Sequence, residues 1–220
     1  MGAAWAVIVA AGRGERFGGP KQLAPLRGRS LFRWSLDVFL AHEEVEGVVL
    51  VAPPEALGLV PAAGGKLRAV VAGGARRQDS VANGFRAVPE SASGVVLIHD
   101  GARPLLAPEL ISRVAAAARE SGAAVPGVGL EDTVKEVAGR RVVRTADRGA
   151  LVRVQTPQGF LYPVLKEALE AAARDRFYGT DEAVLVERTG RPVTVVPGDP
   201  RNIKVTTPLD LRIMEALLDD

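Results

Sequence analysis

WAVIVAAGRGERFGGPKQLAPLRGR, residues 5–29, is the stretch whose reading decides the fold. Trp5 to Val9 is a short continuous apolar run, the pattern of a strand buried on both faces. Gly12, Gly14, Gly18 and Gly19 follow at once, with Arg13, Arg16 and Lys21 set among them. Closely spaced glycines let backbone N–H groups approach an anion, and neighbouring cations neutralise its charge. The combination predicts a phosphate-binding loop leaving the first strand of an α/β sheet. A purely structural glycine turn has no need of Arg16 and Lys21. Both are placed to meet the phosphates of a triphosphate as its charge shifts during transfer.

Outward from this loop, short β-like runs alternate with helical ones, which predicts a mainly parallel sheet covered by helices. Gly47–Ala52, Leu67–Ala72 and Val95–His99 repeat the buried-strand pattern. Phe32, Leu36, Phe39 and Leu40 fall at helical spacing after a Ser30 N-cap, and Leu110, Val114, Ala117 and Ala118 do the same. A last helix is expected with Thr207 as cap, Pro208 in its first turn, and Leu209, Ile213, Ala216 and Leu217 on one face. Residues 131–155 break the rhythm. They are polar and β-branched with a turn at Gly139, which reads as a β-hairpin too polar for the core. A protruding arm that embraces another subunit fits this segment, and a solvated surface hairpin is the alternative.

Composition narrows the function classes. A chain of 220 residues, 47% hydrophobic and 25% charged, is expected to form one packed domain, residues 1–220, carrying the arm. The net charge of +2 gives no global attraction to nucleic acid or to an anionic membrane, so an anion must be met locally. The absence of cysteine excludes disulfides, thiolate metal sites and cysteine nucleophiles. No apolar run reaches the ~20 residues of a membrane span, and the start lacks a signal-peptide pattern, so a cytoplasmic address is expected. The chain ends soon after its last helix, so no fused downstream enzyme is expected.

Three further stretches could carry chemistry. In VVAGGARRQDSVANGF, residues 70–85, a glycine pair ends a strand, Arg76 and Arg77 follow, and Asp79 or Ser80 can cap the next helix. Glycines at the carboxyl end of a strand are also where open α/β sheets bind ligands. In VVLIHDGARP, residues 95–104, a buried strand delivers Asp100 to its end, where a hard cation with phosphates finds an oxygen ligand. His99 beside it reads as a satisfied core histidine. In PGDPRNIKVTTPLDL, residues 197–211, Lys204 sits in a short strand leading to the last helix, a position that usually faces solvent. Neither the dinucleotide fingerprint nor the Walker pattern is met by GRGERFGG, and no acidic residue near 52 is placed to hold a ribose.

Taken together, the chain resembles the 2-C-methyl-D-erythritol 4-phosphate cytidylyltransferases of non-mevalonate isoprenoid biosynthesis nearly end to end. The likeness rests on AAGRGERFGGPKQ at 10–22, GGARRQDSV at 73–81, HDGARP at 99–104 and Asp132-Thr133. It continues through ADRGALVRVQTPQGF at 146–160, TDE at 180–182 and NIKVTTPLDL at 202–211. The resemblance implies a Rossmann-like nucleotidyltransferase sandwich that joins CTP to a polyol phosphate with Mg²⁺ and releases pyrophosphate. It implies that Ala10, Ala11, Gly12, Gly14 and Arg16 line the CTP site with Lys21. Gly74, Arg77, Ser80, Asp100 and Arg103 would complete the cytidine and metal side, Asp100 lying near Mg²⁺. Thr133 and Arg148 would reach from the arm into a partner subunit of a homodimer and hold the methylerythritol phosphate. Thr156, Thr180 and Lys204 would finish that pocket.

The implied catalytic cations are thus Arg16, Lys21, Arg148 and Lys204. Two departures stand out: Arg201 precedes the NIK string where related sequences often carry an acidic residue, and Glu15 stands where another cation occurs. A cytidylyltransferase for another polyol phosphate, such as ribitol 5-phosphate, and a nucleotide-binding subunit without chemistry are the alternatives. Lys21 and Asp100 speak against the second, because such a subunit would have lost them.

Overall fold

The structure, a computed structural model, describes residues 3–12, 14, 17–19, 21–91 and 94–219. The chain runs through β1 (Ala4–Val9), β2 (Pro25–Leu26), β3 (Arg29–Ser30), α1 (Leu31–Ala41), β4 (Val45–Ala52) and β5 (Leu67–Ala72). Next come α2 (Arg77–Arg86), β6 (Val95–Asp100), α3 (Pro108–Ser121), β7 (Ala123–Gly129), β8 (Lys135–Ala138) and β9 (Arg141–Thr145). It ends with β10 (Val152–Val154), β11 (Gln158–Leu161), α4 (Tyr162–Arg174), α5 (Glu182–Arg188), β12 (Thr194–Pro197) and α6 (Pro208–Leu217). One eight-stranded sheet has the order β10-β7-β11-β6-β1-β4-β5, with β12 also paired to β7. β1 pairs in parallel with β4 and β6, and β4 with β5, whereas β11 is antiparallel to both β6 and β7.

The pleat of β1 explains the three layers. Ala4, Ala6 and Ile8 face one side and pack with Phe32, Leu36 and Phe39 of α1 and Leu110, Ile111 and Val114 of α3. Trp5, Val7 and Val9 face the other, against Val81 and Phe85 of α2, Leu165 of α4 and Val186 of α5. Each large apolar side chain buried this way stabilises the fold by roughly 1.5–3 kcal/mol. Because β1 is flanked by β4 on one side and β6 on the other, the chain order turns in opposite directions about it. The crevice beyond the carboxyl ends of β1 and β6 is therefore the topological switch point where such sheets receive ligands.

Several local expectations change. Residues 202–206 belong to no strand, so Lys204 lies on a loop. Arg76, not Asp79 or Ser80, is the N-cap of α2; Asp79 sits in its first turn and accepts from the Arg76 N–H at 3.1 Å. Ser30 precedes α1 without a side-chain capping bond, whereas Thr207 caps α6 as expected and accepts from Asp210 N–H. On α6 the buried residue is Met214, while Leu209 and Ile213 are exposed. The helix packs with Leu26, Leu31 and Val205 through Met214, Leu211 and Leu217, so of the four expected residues Leu217 alone turns inward. The independent hairpin is β8–β9 alone, turning at Gly139 with φ 60°. Residues 152–154 return to the main sheet as β10, antiparallel to β7.

Candidate active site

A cavity of about 460 Å³ opens at the switch point. Ala11, Gly12, Gly14 and Lys21 line it from the loop after β1, and Gly74, Arg76, Arg77 and Ser80 from the junction of β5 and α2. Asp100 and Ala102 close it at the end of β6, and Lys204 and Thr206 before α6. The two glycine-rich loops touch: a Cβ on Gly73 would stand 2.2 Å from the Cβ of Ala11. Gly14 has φ 66°, a conformation that disfavours a side chain, and its carbonyl accepts from Phe17 N–H at 2.8 Å and Gly18 N–H at 3.0 Å. Gly74 N–H donates to Ser80 Oγ at 3.0 Å, so Ser80 braces the second loop from within α2.

An alternating line of charge crosses the cavity floor. The Arg77 guanidinium donates through Nη1 to both oxygens of Glu182, at 2.8 and 2.9 Å, and through Nε to Asp100 Oδ1 at 2.9 Å. Lys204 Nζ donates to Asp100 Oδ2 at 2.6 Å. Burial alone would raise the Asp100 carboxyl, but Arg77, Lys204 and Arg103 hold it well below the ordinary carboxylate range. Burial lowers the Arg77 guanidinium, and Asp100 and Glu182 more than reverse it, so the group stays charged. At Glu182 burial prevails over the pull of Arg77 and raises the carboxyl.

His99 lies beneath this line with no exposed surface. Burial pushes its imidazole down to about 3, which leaves it neutral. His99 Nε2 faces the Arg103 carbonyl, which can only accept, so Nδ1 of the neutral ring accepts from the Thr156 hydroxyl at 3.1 Å, and Thr156 Oγ1 in turn accepts from Asp100 N–H at 3.1 Å. The network assigns the ring proton to Nε2, 3.3 Å from the Arg103 carbonyl. His99 is the satisfied core histidine that the sequence suggests, and it anchors the backbone on either side of Asp100.

A glycine-rich loop, a lysine, and a strand-end aspartate bridged to an arginine and a second lysine line one α/β crevice, an arrangement suited to the phosphates of a nucleotide. The family model for 2-C-methyl-D-erythritol 4-phosphate cytidylyltransferase (IspD) matches residues 4–220. The chain belongs to this family. The cytidylyltransferase of Geobacter metallireducens is 42% identical to it, covering 99% of this chain and 98% of that protein. The enzyme of Frankia casuarinae is 48% identical over 97% of this chain and 80% of its own length. The crystal structure of the family member from Thermus thermophilus superposes with a TM-score of 0.82 at 37% identity, covering 97% of this chain and 98% of that one.

The sequence-predicted residues fall into three groups within the family frame. Ala11, Gly12, Gly14, Lys21, Gly74, Arg77, Ser80, Asp100 and Lys204 line the cavity together. Ala10, Arg103 and Thr156 are buried behind it: Ala10 packs into the core, Arg103 Nη1 donates to the Asn202 carbonyl at 2.7 Å, and Thr156 supports Asp100. Thr133, Arg148 and Thr180 are exposed and line no part of the cavity of their own chain. Arg148 instead donates to the Glu131 carbonyl. Arg16 lies outside the described residues.

Sequence reading passed over Glu182 and Arg76. The TDE string at 180–182 contains the first and GGARRQDSV the second, but only the fold shows that Glu182 is the buried counter-ion of Arg77. Arg76 lies 3.5 Å over the Tyr178 ring, a cation–π contact at the cavity rim. Among the described residues no cluster of three or more His, Asp and Glu could hold a metal. Among the described residues Asp100 is the one carboxylate lining the cavity, and each of its oxygens accepts a single donor from them, which leaves lone pairs for a cation. One carboxylate beside a phosphate site suits Mg²⁺, which takes most of its remaining ligands from substrate phosphates and water.

Proposed function

We propose that this chain joins CTP and 2-C-methyl-D-erythritol 4-phosphate to give 4-diphosphocytidyl-2-C-methyl-D-erythritol and pyrophosphate, as a nucleotidyltransferase of isoprenoid biosynthesis. The observation that carries this reading is the Asp100 carboxylate held between Arg77 and Lys204 at the mouth of the glycine-rich loop. A phosphate oxygen of the polyol phosphate attacks the α-phosphorus of CTP in line. The bond from that phosphorus to the oxygen bridging the β-phosphate breaks, and pyrophosphate leaves with the electron pair. A phosphomonoester dianion is already nucleophilic, so the protein's part is positioning two anions and offsetting their charge. Lys21, with the backbone N–H groups of the loop, takes the triphosphate, and Arg16 would add a second cation there. Lys204 and Arg148 offset the repulsion between the incoming phosphate and CTP. Mg²⁺, held by Asp100 and the phosphates, would supply further charge neutralisation.

Thr133 and Arg148 lie outside the cavity of their own chain, and Val137, Val142 and Val143 are more than half exposed on β8 and β9. We therefore propose a homodimer in which each arm brings these residues to the partner's cavity; sedimentation at the assay concentration tests it, and a monomer would refute it. No helix among the described residues is long and apolar enough to cross a membrane, and we place the reaction in the cytoplasm with the CTP pool. The decisive assay supplies CTP, Mg²⁺ and either methylerythritol phosphate or ribitol 5-phosphate, and measures pyrophosphate. Release with methylerythritol phosphate is expected. Release with ribitol 5-phosphate alone would reassign the substrate, and release with neither would remove the activity.

A further inference from the structure

The chain contains four glutamines, Gln22, Gln78, Gln155 and Gln158, and every one uses its amide to grip a loop of the site. Gln22 is buried beneath the phosphate loop; with its amide assigned so that both ends are satisfied, it donates to the Gly12 carbonyl at 3.0 Å and accepts from Gly12 N–H at 3.2 Å. Gln78 on α2 donates to the Phe177 carbonyl at 3.0 Å and accepts from Gly179 N–H at 2.9 Å. Gln158 on β11 donates to Asp181 Oδ2 at 2.8 Å and accepts from Ala183 N–H at 3.3 Å, holding the same loop from its other end. Gln155 donates to the Asp199 carbonyl at 2.7 Å and accepts from Asp199 N–H at 3.0 Å. Its nitrogen also lies 3.3 Å from the Asn202 carbonyl, two residues before Lys204.

The loops held this way are those that present Gly12, Thr180 and Lys204. A primary amide offers a donor and an acceptor at the spacing of a peptide's C=O and N–H, so it can replace a missing strand partner for a loop. It is also neutral. A glutamate or lysine in the same place would add charge beside the Arg77–Asp100–Lys204 line and Lys21, whereas an amide fixes geometry and leaves the field alone. The fit is tight: a Cβ on Gly12 would lie 2.7 Å from the end of the Gln22 amide, and one on Gly198 would lie 2.6 Å from Gln155 Oε1.

We propose that these glutamines are positioning residues, with Gln22 setting the nucleotide side of the reaction and Gln78 and Gln155 setting the polyol phosphate side. The proposal rests on the cytidylyltransferase reading above. Catalysis by positioning is sensitive to small displacements, about 10²-fold for roughly 1 Å, so releasing a loop changes kinetics before it unfolds the chain. Q22M, Q78M and Q155M keep the approximate side-chain volume and remove the amide. CTP binding is measured by calorimetry without the second substrate, and steady-state rates with each substrate varied in turn.

Gln22→Met is expected to weaken CTP binding about tenfold, in line with a sub-ångström shift, with the KM for the polyol phosphate little changed. Gln78→Met and Gln155→Met are expected to leave CTP affinity unchanged and to lower kcat/KM for the polyol phosphate by about tenfold or more. Loss of both substrates' kinetics in step with melting temperature, or no change in either, would overturn the proposal. If Gln155→Met does not fold, the half-buried Gln78→Met carries the polyol-phosphate arm of the test. If the wild type releases no pyrophosphate, the cytidylyltransferase reading fails on its own, and CTP calorimetry on Gln22→Met still decides the clamp.

Discussion

The cavity at the end of β1 and the β8–β9 arm are both rich in arginine, yet they use it in opposite ways. In the cavity Arg77, Asp100, Glu182 and Lys204 neutralise one another within a single chain, Glu182 being 1% exposed. On the arm Arg144 meets Glu136 at 2.5 Å with both side chains more than half in solvent. An exposed pair of that kind contributes about 0–1 kcal/mol, whereas unpairing a buried one is severe. The buried charges of the cavity are thus paired before any ligand arrives, while the arm's charged groups find solvated partners in their own chain. One region is paired and buried, the other paired and solvated.

The sharpest way to break this contrast is Arg77→Met, which leaves Glu182 buried without its counter-ion. A loss of about 3–5 kcal/mol in urea unfolding is expected, and a loss within experimental error would show that the charge line is not structural. Lys21→Ala attacks the chemistry instead. It is expected to lower kcat by about 10²–10³-fold, or ~3–4 kcal/mol in the barrier, with the fold intact by circular dichroism. Near-normal turnover would remove Lys21 from the mechanism.

Acid tests the buried floor. The ordinary imidazole value of 6.5 falls to about 3 at His99, so the unfolded chain binds a proton that the folded one refuses. Its contribution is complete above the ordinary value and is lost as pH falls through that window, about 2 kcal/mol by about pH 5. Flat stability from neutral pH down to that point would contradict the burial of His99. The arm should show the smallest effect on the fold. Val142→Asp is expected to change monomer stability by less than about 0.5 kcal/mol while abolishing the dimer in sedimentation and weakening the polyol phosphate more than CTP.

The same two regions differ in how much could be read from the sequence. Around the cavity, β1, β4, β5 and β6 are continuous apolar runs, and each lies within two residues of its expected bounds. Gly12, Gly74 and Asp100 follow because they sit at or just after the ends of β1, β5 and β6, whereas Lys204 lies on a loop beyond β12. β7 is hidden by Pro126 and Gly127, which read as breakers although the Pro126 carbonyl accepts from Gln155 N–H at 2.8 Å. The hairpin overran in sequence because Val152–Val154 alternate like its own strands, and only pairing with β7 separates them. The partners of Gln78 and Gln155 lie 99 and 44 residues along the chain, a distance no local pattern spans. Glu182 was unreadable for the same reason, since its meaning is the arginine it meets.

At the base of the arm, Ala146 N–H donates to the Val134 carbonyl at 2.9 Å, so the chain leaves the body and returns to it at a single point. Whatever lies between can be lengthened, trimmed or exchanged with little entropic penalty and no disturbance of the core. The arm is in that sense a cassette. On the dimer proposed above, pairing between subunits can diverge by changes within residues 135–145 while Thr133, Arg148 and the nucleotide half stay in place.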